Sequence, residues 1–102
     1  MKRVAIYARV AHKNDNGEEL EQQIGELEAY CKEKGYQVIR VIAEYRRGRN
    51  VSMNLLTVLA DFKNIDTIVI RDKSQICVNV AEVQRFETLT NELDIEIEFL
   101  TE

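Results

Sequence analysis

Short apolar segments alternate with amphipathic helical segments along the whole chain, and this alternation limits the fold more than any other feature. Apolar runs predict buried strands at residues 2–8, 36–43 and 66–70. Residues 18–33 repeat apolar side chains at spacings of three and four, which is typical of a helix with one buried face. Similar helical spacing follows Ser52 and Asn79, and both residues favour helix amino termini.

The last apolar segment has a different pattern. Ile95, Ile97 and Phe99 alternate with Glu96 and Glu98, which predicts an edge strand with one buried and one wet face. The complete order is therefore β-α-β-α-β-α-β. We expect an α/β fold with three layers, in which a mainly parallel sheet of four to five strands has helices on both faces.

Length and composition limit the function classes. A chain of 102 residues supports one hydrophobic core, so we expect a single domain over 1–102. The net charge of −4 argues against a general polyanion binder, although a local basic patch can still hold a phosphate backbone. No apolar run approaches the ~20 residues that span a bilayer, so we expect a cytoplasmic protein with no membrane partner.

Cations follow the predicted strands at their carboxyl ends, where parallel α/β sheets place their working residues. Arg9 is expected to have a specific anionic partner, because it directly follows a buried strand. For the loop cations, a solvated surface explains the pattern as well as phosphate binding does. The candidate anion-binding or DNA-phosphate-binding side chains are Arg9, Lys13, Arg46, Arg47, Arg49, Arg71 and Lys73.

Other chemistry has little support in the sequence. His12 is the only histidine, and it has no partners that would make it a general base. Cys31 lies on the apolar face of a helix, and Cys77 lies in a loop, so neither spacing nor position predicts a metal site or a disulfide. We therefore expect no metal and no cofactor.

Several short motifs, in order along the chain, resemble the catalytic domain of the serine recombinases, the resolvase/invertase family. Tyr7-Ala8-Arg9-Val10 is similar to the first-strand motif, and Gln23 takes the place of a helix glutamine. Lys34-Gly35-Tyr36, the strand 65–70 and Asn79 are similar to later family segments. The resemblance implies the resolvase-like, flavodoxin-like fold and the chemistry of site-specific DNA recombination.

The sequence departs from the family at the reactive positions. Ala11 stands where the family has the serine that attacks DNA, and a methyl group cannot attack a phosphodiester. An ungapped match replaces family charges at 74, 75 and 78, and a family arginine at 52. A shift of two residues would instead place Asp72 and Lys73 on a family Asp-Arg pair. The family positions in this chain are Arg9, Ala11, Gln23, Ser52, Ser74, Gln75 and Val78.

The sequence thus predicts a recombinase relative that does not cleave DNA. It would act by weak, nonspecific binding to DNA phosphates. Alternatively, it would be a protein-interaction module that pairs with a recombinase or with itself. A receiver or nucleotide-binding domain of similar architecture is a weaker alternative. The family's long dimerisation helix and DNA-binding region are not expected within 1–102.

Overall fold

The computed structural model describes residues 2–10, 17–45, 57, 64–72 and 80–100. The helix expected after Ser52 lies outside these ranges, except for Thr57, which has helical backbone. The described elements, in chain order, are β1 (Arg3–Val10), α1 (Glu18–Lys34), β2 (Gln37–Tyr45), β3 (Thr67–Ile70), α2 (Val80–Glu92) and β4 (Glu96–Phe99).

The four described strands form one sheet in the order β2-β1-β3-β4, and every neighbouring pair is parallel. Parallel neighbours need crossover connections, and the helical segments between the strands supply them. This arrangement confirms the expected α/β fold with a parallel sheet. It also places β1 and β3 at the centre, so their carboxyl ends lie side by side.

Alternate residues of β1 divide the core into two halves, because successive side chains of a strand point to opposite faces. On one face α1 buries Leu20, Leu27 and Cys31 against the sheet. On the other face α2 buries Val83 and Phe86. The β1 residues on the α1 face are Val4, Ile6, Ala8 and Val10, and those in the core on the α2 face are Ala5 and Tyr7.

The strand ends differ from the predicted ones. β1 continues to Val10, two residues beyond the predicted end, because Arg9 pairs with Glu44 and Val10 pairs with Tyr45 of β2. β2 likewise runs to Tyr45 rather than ending at 43. Strand pairing therefore extends through charged residues that apolar patterning alone treats as loop. The carboxyl end of β1, which leads into Ala11 in the sequence, is therefore part of the sheet.

The prediction for β4 is partly wrong. Its position at the sheet edge is confirmed, but its glutamate face is not simply wet. Glu98 is partly buried and accepts hydrogen bonds from the hydroxyls of Tyr30 and Tyr36, while Lys2 Nζ lies 3.7 Å from its carboxylate. Tyr30 lies near the end of α1 and Tyr36 precedes β2, so the carboxylate ties three parts of the fold together.

This carboxylate changes the ionisation of its partners. The hydrogen bond to Glu98 raises the pKa of Tyr30 to about 12 and also raises the pKa of Tyr36. Partial burial alone would raise the pKa of Glu98, but the two phenolic hydrogen bonds and Lys2 outweigh it and lower that pKa. The stabilising contact of Tyr30 is therefore complete below pH 10 and is lost as the pH rises through 12.

We predict that Glu98→Ala shifts tyrosine ionisation to lower pH. Without the carboxylate, Tyr30 returns toward its ordinary pKa of 10.0, so more tyrosinate forms between pH 10 and 12 than in the unmodified protein. Ultraviolet absorbance of tyrosinate measures the difference. Glu96→Ala is the control, because Glu96 bonds to Lys2 rather than to a tyrosine. Identical titration curves for Glu98→Ala and the unmodified protein would contradict the assignment.

Thr67 is a locally unfavourable position in β3. Its side chain is fully buried, and its hydroxyl is the one buried side-chain oxygen without a hydrogen-bond partner among the described residues. A buried unsatisfied polar group costs about 1–3 kcal/mol. Valine keeps the branched shape and removes the hydroxyl, which also suits a strand.

We therefore predict that Thr67→Val raises the free energy of unfolding by roughly 1 kcal/mol. Thr90→Val is the matched control, since the buried Thr90 donates its hydroxyl to the carbonyl oxygen of Glu87 at 2.9 Å. That variant should lose about 1 kcal/mol instead. Urea denaturation of both variants measures the two changes. Equal losses in both would show that the Thr67 hydroxyl is satisfied after all.

Candidate functional site

The candidate site lies at the carboxyl ends of the central strands. Arg9 lies near the end of β1, and Arg71 directly follows β3. These two cations therefore lie on the neighbouring strands that the sequence predicted to carry an anion site. The remaining candidate cations lie outside the described residues, and they are Lys13, Arg46, Arg47, Arg49 and Lys73.

Arg9 is buried rather than displayed to solvent. Only 7% of the residue is exposed. It pairs in register with Glu44 of β2, so both side chains project from the same face of the sheet. The register thus places a carboxylate-bearing residue beside Arg9, and the expected specific anionic partner of Arg9 stays a prediction. A buried arginine with a carboxylate on the next strand is a fixed charge and not a flexible surface cation.

A buried tyrosine holds the same carboxylate. Tyr7 is fully buried, and its hydroxyl donates to Glu44 Oε2 at 2.7 Å. Tyr7 and Arg9 are two residues apart on β1, so they share the α2 face with Glu44. The motif at residues 7–10 identified Tyr7 but gave no sign of its hydrogen bond to Glu44. The two-residue spacing on a strand could have indicated it, but the partner strand's register could not be read.

Gln23 of α1 binds the backbone of Arg9 at two points. The Arg9 N–H donates to Gln23 Oε1 at 3.0 Å, and Gln23 Nε2 donates to the Arg9 carbonyl oxygen at 3.3 Å. Gln23 is buried, with 3% exposed. The side-chain amide therefore acts like an extra peptide unit that joins α1 to the end of β1. We name this pair of hydrogen bonds the Gln23–Arg9 clamp.

The clamp explains why a glutamine is needed at this position. An uncharged amide accepts from an N–H through its oxygen and donates to a carbonyl through its nitrogen, so its two atoms match the two backbone groups of one residue. Both of these bonds go to the main chain, so Gln23 is a positioning residue for the end of β1. Residue 11 follows this clamped end directly. The family positions Ala11, Ser52, Ser74, Gln75 and Val78 themselves lie outside the described residues.

The opposite end of the sheet is acidic. An open cleft there is lined by Asp66, Asp94, Glu96, Lys2 and Thr67. Lys2 is already paired with Glu96 at 3.0 Å. Clustered carboxylates repel phosphates, so this end does not suit nucleic acid. At the carboxyl end the described cations Arg9 and Arg71 are balanced by Glu44 and Asp72, so of the two ends the carboxyl end is the less acidic.

Of the two cysteines and the histidine, only Cys31 lies in the described part of the chain. Cys31 is buried, and burial raises the pKa of its thiol to about 11, so this cysteine is unreactive at neutral pH. Cys77 and His12 lie outside the described residues. Across the described ranges, no three His, Cys, Asp or Glu side chains are grouped as metal ligands. None of the described helices is long and apolar enough to cross a membrane.

The sequence of the chain matches a known family. Residues 4–102 match the family described as Resolvase, N terminal domain. The chain belongs to this family. It is thus a serine recombinase catalytic domain by descent, which confirms the resemblance in the sequence and decides against the receiver or nucleotide-binding alternative. No curated protein sequence matches the chain significantly.

Solved structures of recombinases have the same fold. The C-terminal catalytic domain of ISC1926 TnpA, an IS607-like serine recombinase, is 28% identical with a TM-score of 0.84, and the match covers 98% of this chain and 70% of that one. The N-terminal catalytic domain of TP901-1 integrase is 21% identical with a TM-score of 0.82, covering 97% and 77%. A resolvase family site-specific recombinase from Streptococcus pneumoniae is 16% identical with a TM-score of 0.79, covering 98% and 72%. The last two similarities concern the fold alone.

Proposed function

We propose that this resolvase-family domain no longer cleaves DNA and acts in DNA recombination through binding. The single observation that carries the proposal is Ala11, which stands at the family's nucleophile position directly after a β1 end that the Gln23–Arg9 clamp still fixes. A covalent intermediate needs a nucleophilic oxygen, and alanine has none. The scaffold that positions the nucleophile is therefore kept while the nucleophile is absent.

The substituted charges support the same conclusion. Strand cleavage by phosphoryl transfer concentrates negative charge, which preorganised cations must stabilise. The ungapped family match places neutral Ser52, Gln75 and Val78 where the family has arginines. Such a site lacks both the attacking group and most of the charge stabilisation. A single engineered substitution would not produce this combination.

The proposed binding activity uses the carboxyl end of the sheet. Arg71 lies there in the described structure, and the sequence adds Lys13, Arg46, Arg47, Arg49 and Lys73 to the same loops, while the buried Arg9 already faces Glu44. We propose that these side chains hold DNA phosphates weakly and without base recognition, as phosphate contacts do. A protein with this role works in the cytoplasm, where recombination substrates are present.

Fluorescence anisotropy with a labelled duplex tests this binding. We expect the affinity for DNA to fall steeply as the salt concentration rises. Replacing Arg46, Arg47 and Arg49 with glutamine should lower the number of counterions released on binding by up to about three. The matched control neutralises three exposed cations elsewhere, namely Arg3, Lys32 and Arg85. Binding that is insensitive to salt, or equally weakened by both triple variants, would contradict a phosphate site at this end.

A second candidate function is protein association, in which the domain pairs with a recombinase and modulates it. The observation that favours it is an exposed apolar side of β2, where Val38, Val41 and Tyr45 are 36%, 39% and 43% exposed. Apolar contacts would make such association insensitive to salt, in contrast to phosphate binding. A pull-down with an active recombinase catalytic domain at low and high salt separates the two candidates.

A further inference from the structure

Strand β2 is the outer strand of the described sheet on the side away from β4. It is nine residues long, whereas β4 has four. An edge strand presents a row of backbone donors and acceptors that another strand can pair with, and proteins usually protect such edges with charges or short length. β4 shows both protections, through its length and its glutamates. β2 is more than twice as long, and its two charged residues, Arg40 and Glu44, are of opposite sign.

The side chains of β2 make one face of this edge apolar. Pairing with Ile6, Ala8 and Val10 places Val41, Ala43 and Tyr45 on the α1 face of the sheet. All three β2 residues are exposed, so α1 covers them only in part. We name these three residues the β2 stripe. A contiguous exposed apolar stripe beside an open edge is typical of an interaction surface.

The opposite face of β2 carries complementary charges. Arg40, Ile42 and Glu44 alternate with the β2 stripe and share the α2 face, where Ile42 is buried. A register irregularity lies at Ile39, between the partners of Val4 and Ala5. From Arg40 onward, β2 pairs residue for residue with β1, so this segment is regular enough to accept a further strand.

Two-fold symmetry selects one partner arrangement. Suppose that a second copy adds its β2 antiparallel to this one and continues the sheet. Residues that face each other across the two strands must then lie on the same face of the sheet, so the two-fold axis passes through a residue. The candidates for this central residue are Val41, Ile42 and Ala43. Only the centre at Ile42 sets Arg40 opposite Glu44 of the other copy, and it does so twice. The same centre sets Val41 against Ala43 twice, so the β2 stripe packs on itself.

We propose that β2 is a self-association edge, at which two copies of this chain pair antiparallel about Ile42 and join their sheets into one continuous sheet. The proposal deepens the protein-association candidate by naming its surface and its partner, and it is independent of DNA binding. Cross-strand pairs of opposite charge and of apolar side chains each stabilise such an interface, and symmetry doubles every pair.

Sedimentation velocity over a range of protein concentrations tests the proposal with two independent changes. Val41→Lys introduces a charge at an exposed position of the β2 stripe and should weaken the dimer by roughly 10- to 100-fold. Val80→Lys is the control, because Val80 is 71% exposed at the start of α2 and lies away from β2. That variant should dimerise like the unmodified protein.

A charge reversal tests the register. Arg40→Glu should be monomeric, because it sets like charges opposite one another at Glu44 of the other copy, whereas Arg40→Lys keeps the charge and should still dimerise. Circular dichroism confirms that each variant is folded. A protein that stays monomeric, or a dimer that Val41→Lys leaves intact, would overturn the proposal. A monomer that still binds a recombinase domain would overturn this inference while the protein-association function stands.

Discussion

Replacing Gln23 with methionine is expected to lower the free energy of unfolding by about 2–4 kcal/mol. Methionine keeps the length of the side chain but can neither accept from the Arg9 N–H nor donate to the Arg9 carbonyl oxygen. Both backbone groups lie in a buried environment and would lose their partner. The loss is therefore the cost of two unsatisfied polar groups and not of one average hydrogen bond. Urea denaturation monitored by circular dichroism measures it.

Two further variants test whether the loss of stability in Gln23→Met comes from the Gln23–Arg9 clamp. Gln22→Met changes the exposed neighbour on α1 and should stay within about 0.5 kcal/mol of the unmodified protein. Gln23→Glu should be destabilised at neutral pH, because burial disfavours the charged carboxylate and the carboxylate cannot donate. Its folded pKa is therefore raised, so stability is present below the ordinary glutamate pKa and is lost as the pH rises. A Gln23→Met variant as stable as Gln22→Met would contradict the clamp.

Replacing Gly17 with alanine is expected to cost about 2–3 kcal/mol. Gly17 immediately precedes α1 and has a φ of +84°, a backbone conformation that residues with a side chain disfavour. A Cβ added at this position would also collide with the hydroxyl of Tyr45. Both effects act at the junction between α1 and the end of β2. Thermal and urea denaturation measure the loss in stability.

The two causes can be separated experimentally. In a Tyr45→Phe background the collision is relieved, so Gly17→Ala should cost less and only the backbone strain should remain. Gly25→Ala is the matched control within the same helix, because nothing lies within 4 Å of its added Cβ. That change should stabilise the protein by roughly 0.5–1 kcal/mol. If Gly17→Ala costs no more with Tyr45 present than in the Tyr45→Phe background, the collision contributes nothing to the loss.

Periodicity was enough to predict the helix and most of the strands. The spacings of four, three and four between Leu20, Ile24, Leu27 and Cys31 predicted α1. Gly35 marked its end, where it adopts the left-handed conformation. The alternating pattern of 95–99 predicted that β4 is an edge strand. These features depend on local sequence, so they can be read without knowing the neighbours.

The features that position the site depend on partners far away in the chain. Gln23 binds residues of β1, Tyr7 binds Glu44 of β2, and Glu98 binds two tyrosines that precede it by more than 60 residues. No local pattern contains such a pair. The second edge at β2 was missed for the same reason, because strand order is a property of the whole sheet. The motif resemblance identified Arg9 and Gln23 but could not show that the glutamine holds the backbone.

The proposed function requires that this recombinase domain forms no covalent bond to DNA. The most direct measurement incubates the protein with supercoiled DNA, stops the reaction with denaturant and separates covalent protein–DNA species by gel. We expect no such species from the unmodified chain or from Ala11→Ser, because restoring the hydroxyl does not restore the missing arginines. A denaturant-resistant species from the unmodified chain would contradict the proposed function outright. Cleavage by Ala11→Ser alone would show that the cations at this site are still sufficient for catalysis.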